Sequence, residues 1–506
     1  MHRLAVLSNR LPVALTRGAD SRLRASHSPG GLVNALEPVL RRKGGRWIGW
    51  PGVASEQCDG DAVRAVLAEV EDGVRLVPVA LSATEIDHYY GSFANSALWP
   101  AFHGLVDRCR VDGRAWEVYQ EVNRRFARRL IAEISDGDSV WVHDYQLLLV
   151  GQEVRRERPG ACLGFFLHIP FPRPDHLLAL PGSGDLLFAL LAHDLIGFQT
   201  RRDLGNFIEA VSRLLRLDVG PLGEGRFRIA APGGRPVVAG HFPIGIDAAA
   251  WMRRASSIEV DERLDELRGA IGPQAVMLGV DRLDYTKGLL ERLAAYERML
   301  ERHPETQGKV TLVQVVVPSR EAVSDYAALK QELERQVGRL CGRFATPSWV
   351  PVRHLYRSLD ATELAALYRM ADVALVTPLC DGMNLVAKEY CAAQVDGSGV
   401  LVLGEGAGAA EQLGPAGAIL VTPHEVDATA DAMHRALTMD VGERRRRMEA
   451  MRRAVAEADV FGWADGFLAE LDEVRSRRPV RRSTRVVAPA TAEAAGASVS
   501  RRSAIG

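Results

Sequence analysis

Two basic residues five positions apart, Arg282 and Lys287, stand in the string Asp281-Arg-Leu-Asp-Tyr-Thr-Lys-Gly288, on a loop that enters a helical pattern. Fixed positive charge beside the free N–H groups of a helix start suits a departing diphosphate, whose growing negative charge is then stabilised without a metal. Taken alone, the pair fits an exposed, solvated loop equally well. Glu389 lies one turn into the helix that opens after Asp381-Gly-Met-Asn384. A carboxylate there either accepts two ribose hydroxyls or simply satisfies the helix dipole. Gly30 and Gly31 precede the helical pattern Leu32 to Leu40 and let a ligand approach the backbone closely. Arg10, Arg320, Tyr90 and Trp99 offer what a phosphorylated sugar needs, guanidinium forks for phosphate and a phenol or ring face for the sugar, although Trp99 alone reads equally as packing. His168, stiffened by the prolines of Ile169-Pro-Phe-Pro172, is placed to hydrogen-bond a sugar hydroxyl.

These residues need a frame, and the chain supplies one in its alternation of apolar runs with helical periods, the pattern of parallel α/β layers. The first half offers Leu4–Leu7, Val140–Val142, Leu163–Leu167 and Leu195–Phe198; the second offers Val276–Val280, Val310–Val317, Val373–Val376 and Val400–Leu403. A Gly- and Pro-rich segment from Ala231 to Asp247 separates them, so two doubly wound domains facing across a cleft are expected. In open parallel sheets ligands collect beyond the carboxyl ends of the strands. Polar residues do follow the runs: Ser8-Asn9-Arg10, His143-Asp144-Tyr145, His168, Asp281 to Gly288, Pro318-Ser319-Arg320 and Asp381 to Asn384.

Two Asp-Gly-Asp strings, at 59–61 and 136–138, match the metal-binding pair of some glycosyltransferases. Neither follows a strand, so both read as turns and no metal is expected. Gly404-Glu-Gly-Ala-Gly408 lacks the spacing of a dinucleotide fingerprint and fits a loop that packs a helix start near donor phosphates. No cofactor is expected.

Taken together, Ser-Asn-Arg-Leu-Pro at 8–12, Pro-Gly-Gly-Leu at 29–32, Trp-Ile-Gly-Trp at 47–50, Tyr-Tyr to Trp-Pro-Ala-Phe-His at 89–103, His-Asp-Tyr-Gln-Leu at 143–147, Gly-Phe-Phe-Leu-His-Ile-Pro-Phe-Pro at 164–172, Val-Asp-Arg-Leu-Asp-Tyr-Thr-Lys-Gly at 280–288 and Asp-Gly-Met-Asn-Leu-Val-Ala-Lys-Glu-Tyr at 381–390 resemble the trehalose-6-phosphate synthases. The likeness runs in order from about residue 3 to 470. It implies the GT-B fold of two Rossmann-like domains, at 1–245 and 246–455, with a helix at 456–474 crossing back to the first. It implies a retaining transfer of glucose from a nucleoside-diphosphate glucose to glucose 6-phosphate. In that likeness Arg10, Tyr90, Asp144 and Arg320 match the acceptor site, with Trp99 and one tryptophan of 47–50 nearby. Gly30, Gly31, Arg282, Lys287, Leu359 and the stretch Leu385, Val386, Ala387, Lys388, Glu389 match the nucleotide-sugar site. His168 and Asp381 match residues that hold the donor glucose, and with Arg282 and Lys287 make up the catalytic set. A dimer or tetramer is implied too. Cys380 stands where many relatives carry Arg, which removes a charge beside the donor.

The 506-residue chain carries 47% apolar and 25% charged residues, ordinary for a globular enzyme. No apolar run reaches the roughly 18 residues of a membrane span, and the N-terminal run is too short for a signal peptide, so a cytoplasmic protein is expected. Six scattered cysteines without CxxC spacing read as reduced, buried thiols. The segment 475–506, with eight Arg and one acid, reads as a disordered tail; the remainder is mildly acidic, against nucleic acid as a partner. Within the same chemistry the rivals are glucosylglycerol-phosphate synthases and cyclitol-coupling pseudo-glycosyltransferases; outside it, a silent regulatory subunit. A fused phosphatase would need about 200 further residues after 470.

Overall fold

The structure, a computed structural model, describes residues 3–17, 22–27, 30–71, 73–320 and 323–477. Its strands are β1 Leu4–Arg10, β2 Val13–Arg17, β3 Leu23–His27, β4 Gly45–Trp50, β5 Val74–Pro78, β6 Ser139–His143, β7 Cys162–Phe166, β8 Leu195–Phe198, β9 Val219–Gly223, β10 Arg226–Ala230, β11 Pro236–His241, β12 Ala275–Arg282, β13 Val310–Val317, β14 Val352–Tyr356, β15 Val373–Val376, β16 Val400–Gly404 and β17 Ile419–Val421. Each of the eight expected runs falls on one of them, the run 163–167 passing the end of β7 by one residue. β6, β7 and β8 are buried along their whole length, which is why they read as continuous apolar runs and not as alternation.

The first sheet runs β5-β4-β1-β6-β7-β8-β11-β10-β9 and the second β14-β13-β12-β15-β16-β17. The second is parallel throughout, and the first is parallel except for β9 and β10. In each half the chain winds outward from a central strand in one direction, then returns and winds in the other. β1 lies between β4 and β6, and β12 between β13 and β15. Those reversals open a crevice at the carboxyl edge, where loops diverge to opposite faces. Arg10 and Asp144 stand at the first crevice; Arg282, Lys287 and Asp381 stand at the second.

The expected boundary at 245/246 falls between β11 and the Asp247-capped helix Ala248–Ala255. The break was expected to begin at Ala231, yet β11 still belongs to the first sheet. Five helices matter below: α1 Gly31–Lys43, α2 Leu289–Arg302, α3 Leu385–Ala393, α4 Val426–Thr438 and α5 Val460–Ser476. The chain returns from the second half at Ala458-Asp459, against the outgoing segment: a Cβ on Gly245 would lie 2.1 Å from the Ala458 carbonyl oxygen, and Val460 N–H donates to Ile246 O. α5 then packs on the first sheet. The Phe467 ring stacks on Trp141 at 4.6 Å, in space left by Gly164 and Gly197, whose added Cβ atoms would fall 2.7 and 2.8 Å from it. α5 begins at Val460 and extends to Ser476, so the expected tail loses its first residues to the helix; 478–506 lie outside the described residues. Among the described residues no helix is long and apolar enough to cross a membrane.

Candidate active site

Four elements converge at the mouth of the first sheet. Arg10 ends β1 and lies 4.5 Å from the centre of the Trp50 ring, while Trp47, its companion in the 47–50 string, is buried and donates to Ser8 Oγ. Tyr90 sits on a wide π-helical segment, Ile86–Leu98, a rare geometry concentrated at functional sites. Asp144 follows β6 with φ 73°, and Arg320 follows β13 of the other half with φ 51°. Among the described residues only five non-glycine positions have positive φ, and Asp144, Arg320 and Asn384 are three of them. Such backbone costs energy and is retained where the surroundings over-determine it.

Arg320 is buried. Its guanidinium donates to Tyr326 Oη, to Asp284 Oδ2 at 3.4 Å and, across the cleft, to Tyr145 Oη at 3.2 Å. Burial alone would raise the Tyr90 phenol, but the Arg320, Arg10 and Arg282 guanidiniums around it bring it below its ordinary value. Burial pushes Asp144 up to about 6, against hydrogen bonds from the His168 and Tyr145 backbones. Three cations, a phenol and a carboxyl thus share one pocket.

On the facing side Lys287 Nζ lies 2.5 Å from Asp381 Oδ2, which also accepts from Asn384 Nδ2 at 3.0 Å. Asn384 in turn caps α3 by accepting from Ala387 N–H. The Lys287 loop is held from behind by Arg292 on α2. This fully buried guanidinium donates to Asp281 Oδ2 at 2.6 Å, to Gln314 Oε1 and Thr377 Oγ1 at 3.0 Å, and to the Lys287 carbonyl. The starts of α1 and α3 meet, a Cβ on Gly31 falling 3.3 Å from Leu385 Cδ1. Two helix N-termini with their free N–H groups therefore face the same space, an arrangement that attracts phosphate. Within α3, Glu389 accepts from Tyr368 Oη at 3.1 Å, and burial pushes its carboxyl up to about 7. Leu359, half-buried, ends the loop after β14 beside the Asp360-capped helix Ala361–Met370.

Between the two sides stands His168. A Cβ on Gly382 would lie 1.9 Å from the His168 carbonyl oxygen, so the halves touch there. Gln199 Oε1 accepts from Ile244 N–H at 3.0 Å, which turns Nε2 toward His168 Nδ1 at 3.3 Å. His168 Nε2 then donates to His143 Nδ1 at 3.0 Å. Burial takes His168 down to about 3 and His143 well below its ordinary value, so both rings are neutral. On its other side the Ile244 peptide accepts from Lys388 Nζ at 2.7 Å.

Residues 2–473 match the model of glycosyltransferase family 20. The chain belongs to glycosyltransferase family 20. It is 43% identical to a trehalose-6-phosphate synthase of Mycolicibacterium vanbaalenii, over 94% of this chain and 96% of the relative. Among solved structures it resembles the UDP-forming α,α-trehalose-phosphate synthase of Burkholderia xenovorans in complex with glucose 6-phosphate, with TM-score 0.84, 36% identity, and 93% and 100% of the two chains covered. It also resembles a trehalose-6-phosphate synthase studied with bisubstrate glycomimetics to understand glycosyl transfer with retention, with TM-score 0.81, 34% identity, and 93% and 99% covered.

Several expectations for this family 20 chain change once side chains are placed. Trp99 was expected to face the sugar; its ring instead carries Arg320 at 4.0 Å and Arg282 at 5.7 Å, so it seats the cations. The Lys388 side chain is spent on the Ile244 carbonyl, which leaves the backbone of that stretch for a ligand. Both ring nitrogens of His168 are already partnered, so a sugar hydroxyl reaches the ring only by displacing His143 or Gln199. The Asp-Gly-Asp strings serve structure: Asp59 caps the helix Gly60–Glu69, and Asp138 accepts from Arg3 and Ser135 N–H and pairs with Arg46. Gly406 and Gly408 let their loop lie under Leu379 and Gly382, from which Asp381 N–H donates to Gly406 O. Of the cysteines only Cys162 and Cys391 are buried; Cys58, Cys109, Cys341 and Cys380 are partly exposed. Burial raises the Cys380 thiol to about 11, leaving the position neutral.

Arg292 and Gln199 were not singled out, and Asp281, Asp284 and Tyr145 were noted at strand ends without a role. Gln199 directly follows β8, so the strand-end rule applied to that run would have found it. Arg292 carries no such signal: it occupies one position of a helical pattern whose neighbours are apolar.

Proposed function

We propose that the acceptor glucose 6-phosphate binds with its phosphate among Arg10, Arg320 and Tyr90 and its ring near Asp144. The nucleoside-diphosphate glucose lies along the opposite wall, its diphosphate against Gly30, Gly31, Lys287, Arg282 and the start of α3, its ribose on Glu389. The chain is a retaining glucosyltransferase whose product is α,α-trehalose 6-phosphate. One observation supports the assignment of sides: Lys287 pairs with Asp381, while Arg320 lies over the Trp99 ring beside Tyr90, and Arg282, over that same ring, stands between the two. The acceptor phosphate then meets Arg10 and Arg320, the donor diphosphate meets Lys287, and Arg282 lies between them.

In the reaction the bond from the anomeric carbon to the diphosphate breaks and the acceptor hydroxyl attacks from the same face. Its proton passes to the departing phosphate oxygen, and Arg282 and Lys287 stabilise the charge that develops. The Lys287–Asp381 pair opens to admit the phosphate, which leaves Asp381 beside the positively charged sugar ring. His168, neutral and anchored by Gln199, meets the glucose from the first half, a sugar hydroxyl taking the place of His143 or Gln199 at the ring. Among the described residues no carboxylate pair stands out as nucleophile and acid, so a covalent glucosyl-enzyme is not part of the scheme. Self-association to a dimer or tetramer belongs to the same proposal and is read by sedimentation.

The test incubates the chain with glucose 6-phosphate and, in turn, UDP-, ADP- and GDP-glucose, following nucleoside diphosphate release and the anomeric configuration of the product by NMR. Release without acceptor dependence, or a β-linked product, refutes the scheme; a trapped covalent glucosyl-enzyme refutes its front-face step.

A further inference from the structure

At the end of the second half remote from the cleft, His303, Glu305 and His434 form the one group of three His, Cys, Asp or Glu side chains, among the described residues, whose ligand atoms all lie within 4.8 Å of one another. His303 ends α2, Glu305 lies in the tight turn Pro304–Thr306, and His434 projects from α4, which packs on α2. Glu305 Oε1 stands 3.4 Å from both His303 Nδ1 and His434 Nε2. The two imidazoles lie face to face, 3.5 Å between centres and 2° between planes. Two imidazoles thus aim one nitrogen each at a single carboxylate oxygen, on a surface where water would serve each ring separately.

We propose that this cluster is a binding site for a divalent transition metal of the zinc type, with His303 Nδ1, His434 Nε2 and Glu305 as ligands. Zinc takes nitrogen and carboxylate oxygen at about 2.0–2.1 Å in a tetrahedron, whose edges are then about 3.3 Å. The two nitrogen-to-oxygen separations of 3.4 Å already have that length. The rings must tilt out of their stack for the lone pairs to converge, a rotation the partly exposed His434 has room to make. Two imidazoles and one carboxylate favour zinc, cobalt or nickel over magnesium or calcium, which prefer oxygen.

The outer shell fits as well. The remaining nitrogen of His303, Nε2, lies 3.9 Å from Asp431 Oδ1, a short shift from the place of the carboxylate that orients metal-bound histidines. Arg302 Nη2 lies 3.1 Å from the same oxygen, so its charge is met by Asp431 before it reaches the ligands. α2 starts at the Lys287 loop and its 14 residues span about 21 Å, which keeps the metal away from the transfer chemistry. A bound ion would fasten the far end of α2 to α4.

The experiment strips the full-length chain with a chelator and titrates it with zinc by equilibrium dialysis and calorimetry, with melting temperature as a second reading. Cobalt is then added, so that its visible ligand-field bands report a tetrahedral nitrogen and oxygen site. One equivalent per chain and a raised melting temperature are expected. The H303A/H434A double variant loses that equivalent and the cobalt bands, Glu305→Gln weakens binding, and Asp431→Asn weakens it about 10- to 100-fold. Glucosyl transfer and the metal-free melting temperature stay as in the wild type, which separates loss of a ligand from loss of the fold. A wild-type chain that takes up no zinc, a full equivalent retained by the double variant, or unchanged affinity in Glu305→Gln overturns the proposal.

Discussion

Replacing Lys287 by Ala tests the donor side most directly. Lys287 Nζ lies 2.5 Å from Asp381 Oδ2, with the two side chains 9% and 15% exposed. A charge so placed meets a phosphate oxygen in surroundings of effective dielectric near 20, where two unit charges about 4 Å apart interact by about 4 kcal/mol. Loss of one donor to a developing oxyanion typically costs about 2.7–4 kcal/mol, or 10²–10³ in kcat, so the two routes agree. The variant also strips Asp381 of its cation, leaving a carboxylate held by Asn384 alone beside an incoming diphosphate. The donor KM therefore rises together with the fall in kcat. Adding Asp381→Asn to Lys287→Ala removes that stray charge, so the donor KM of the double variant falls back toward wild type while kcat stays low. Arg10, Tyr90 and Arg320 keep their partners, and the KM for glucose 6-phosphate stays within about threefold. Initial rates of nucleoside diphosphate release, varying one substrate at a time, give kcat and both KM values for each variant. A Lys287→Ala enzyme within about threefold of wild-type kcat would show that the leaving group is stabilised elsewhere.

Gly382→Ala places a methyl 1.9 Å from the His168 carbonyl oxygen and forces the halves apart; displacements of about 1 Å cost about 10²-fold in such reactions, so turnover drops while the melting temperature moves little, and full turnover refutes the contact's role. Gln199→Glu still accepts from Ile244 N–H but no longer donates to His168 Nδ1, so kcat falls, the fold holds, and the pH profile changes on its acid side as the imidazole gains a proton-binding partner; an unchanged profile counts against the relay. Asp144 has its folded value pushed up to about 6 from an ordinary 3.8, a difference worth about 3 kcal/mol. The sign follows from the folded state holding the proton longer: the cost is absent below about pH 4, grows through pH 6 and is complete above it. Asp144→Asn should therefore gain stability relative to wild type as pH rises from 4 to 7.5, in denaturant titrations; a pH-independent difference refutes the assignment.

Much of the frame was legible because buried parallel strands need apolar runs, and β6, β12 and β15 have them, as does β13 apart from Thr311 and Gln314. β9 and β10 escaped notice: Val219-Gly-Pro-Leu-Gly223 reads as a turn, and only the edge of a large sheet makes it a strand. The charged residues at strand ends could be read because the topology sends loops there whatever their sequence. What sits behind them could not. Arg292 binds Asp281, Gln314, Thr377 and the Lys287 carbonyl, four partners from two strands and two loops that only the fold brings together. Trp99 shows the same limit from the other side, since its residue type announces a ring face but not that guanidiniums already cover it.

The crossing of Gly245 past Ala458 makes the second half, topologically, a cassette spliced into a host. Its entry and exit points touch, and α5 beyond them completes the host's own core through Phe467 and Trp463. Excising the cassette and bridging the stumps near residues 243 and 459 with a short peptide would leave the first sheet with α5 still in place, whereas trimming α5 would injure that half from the opposite end of the sequence.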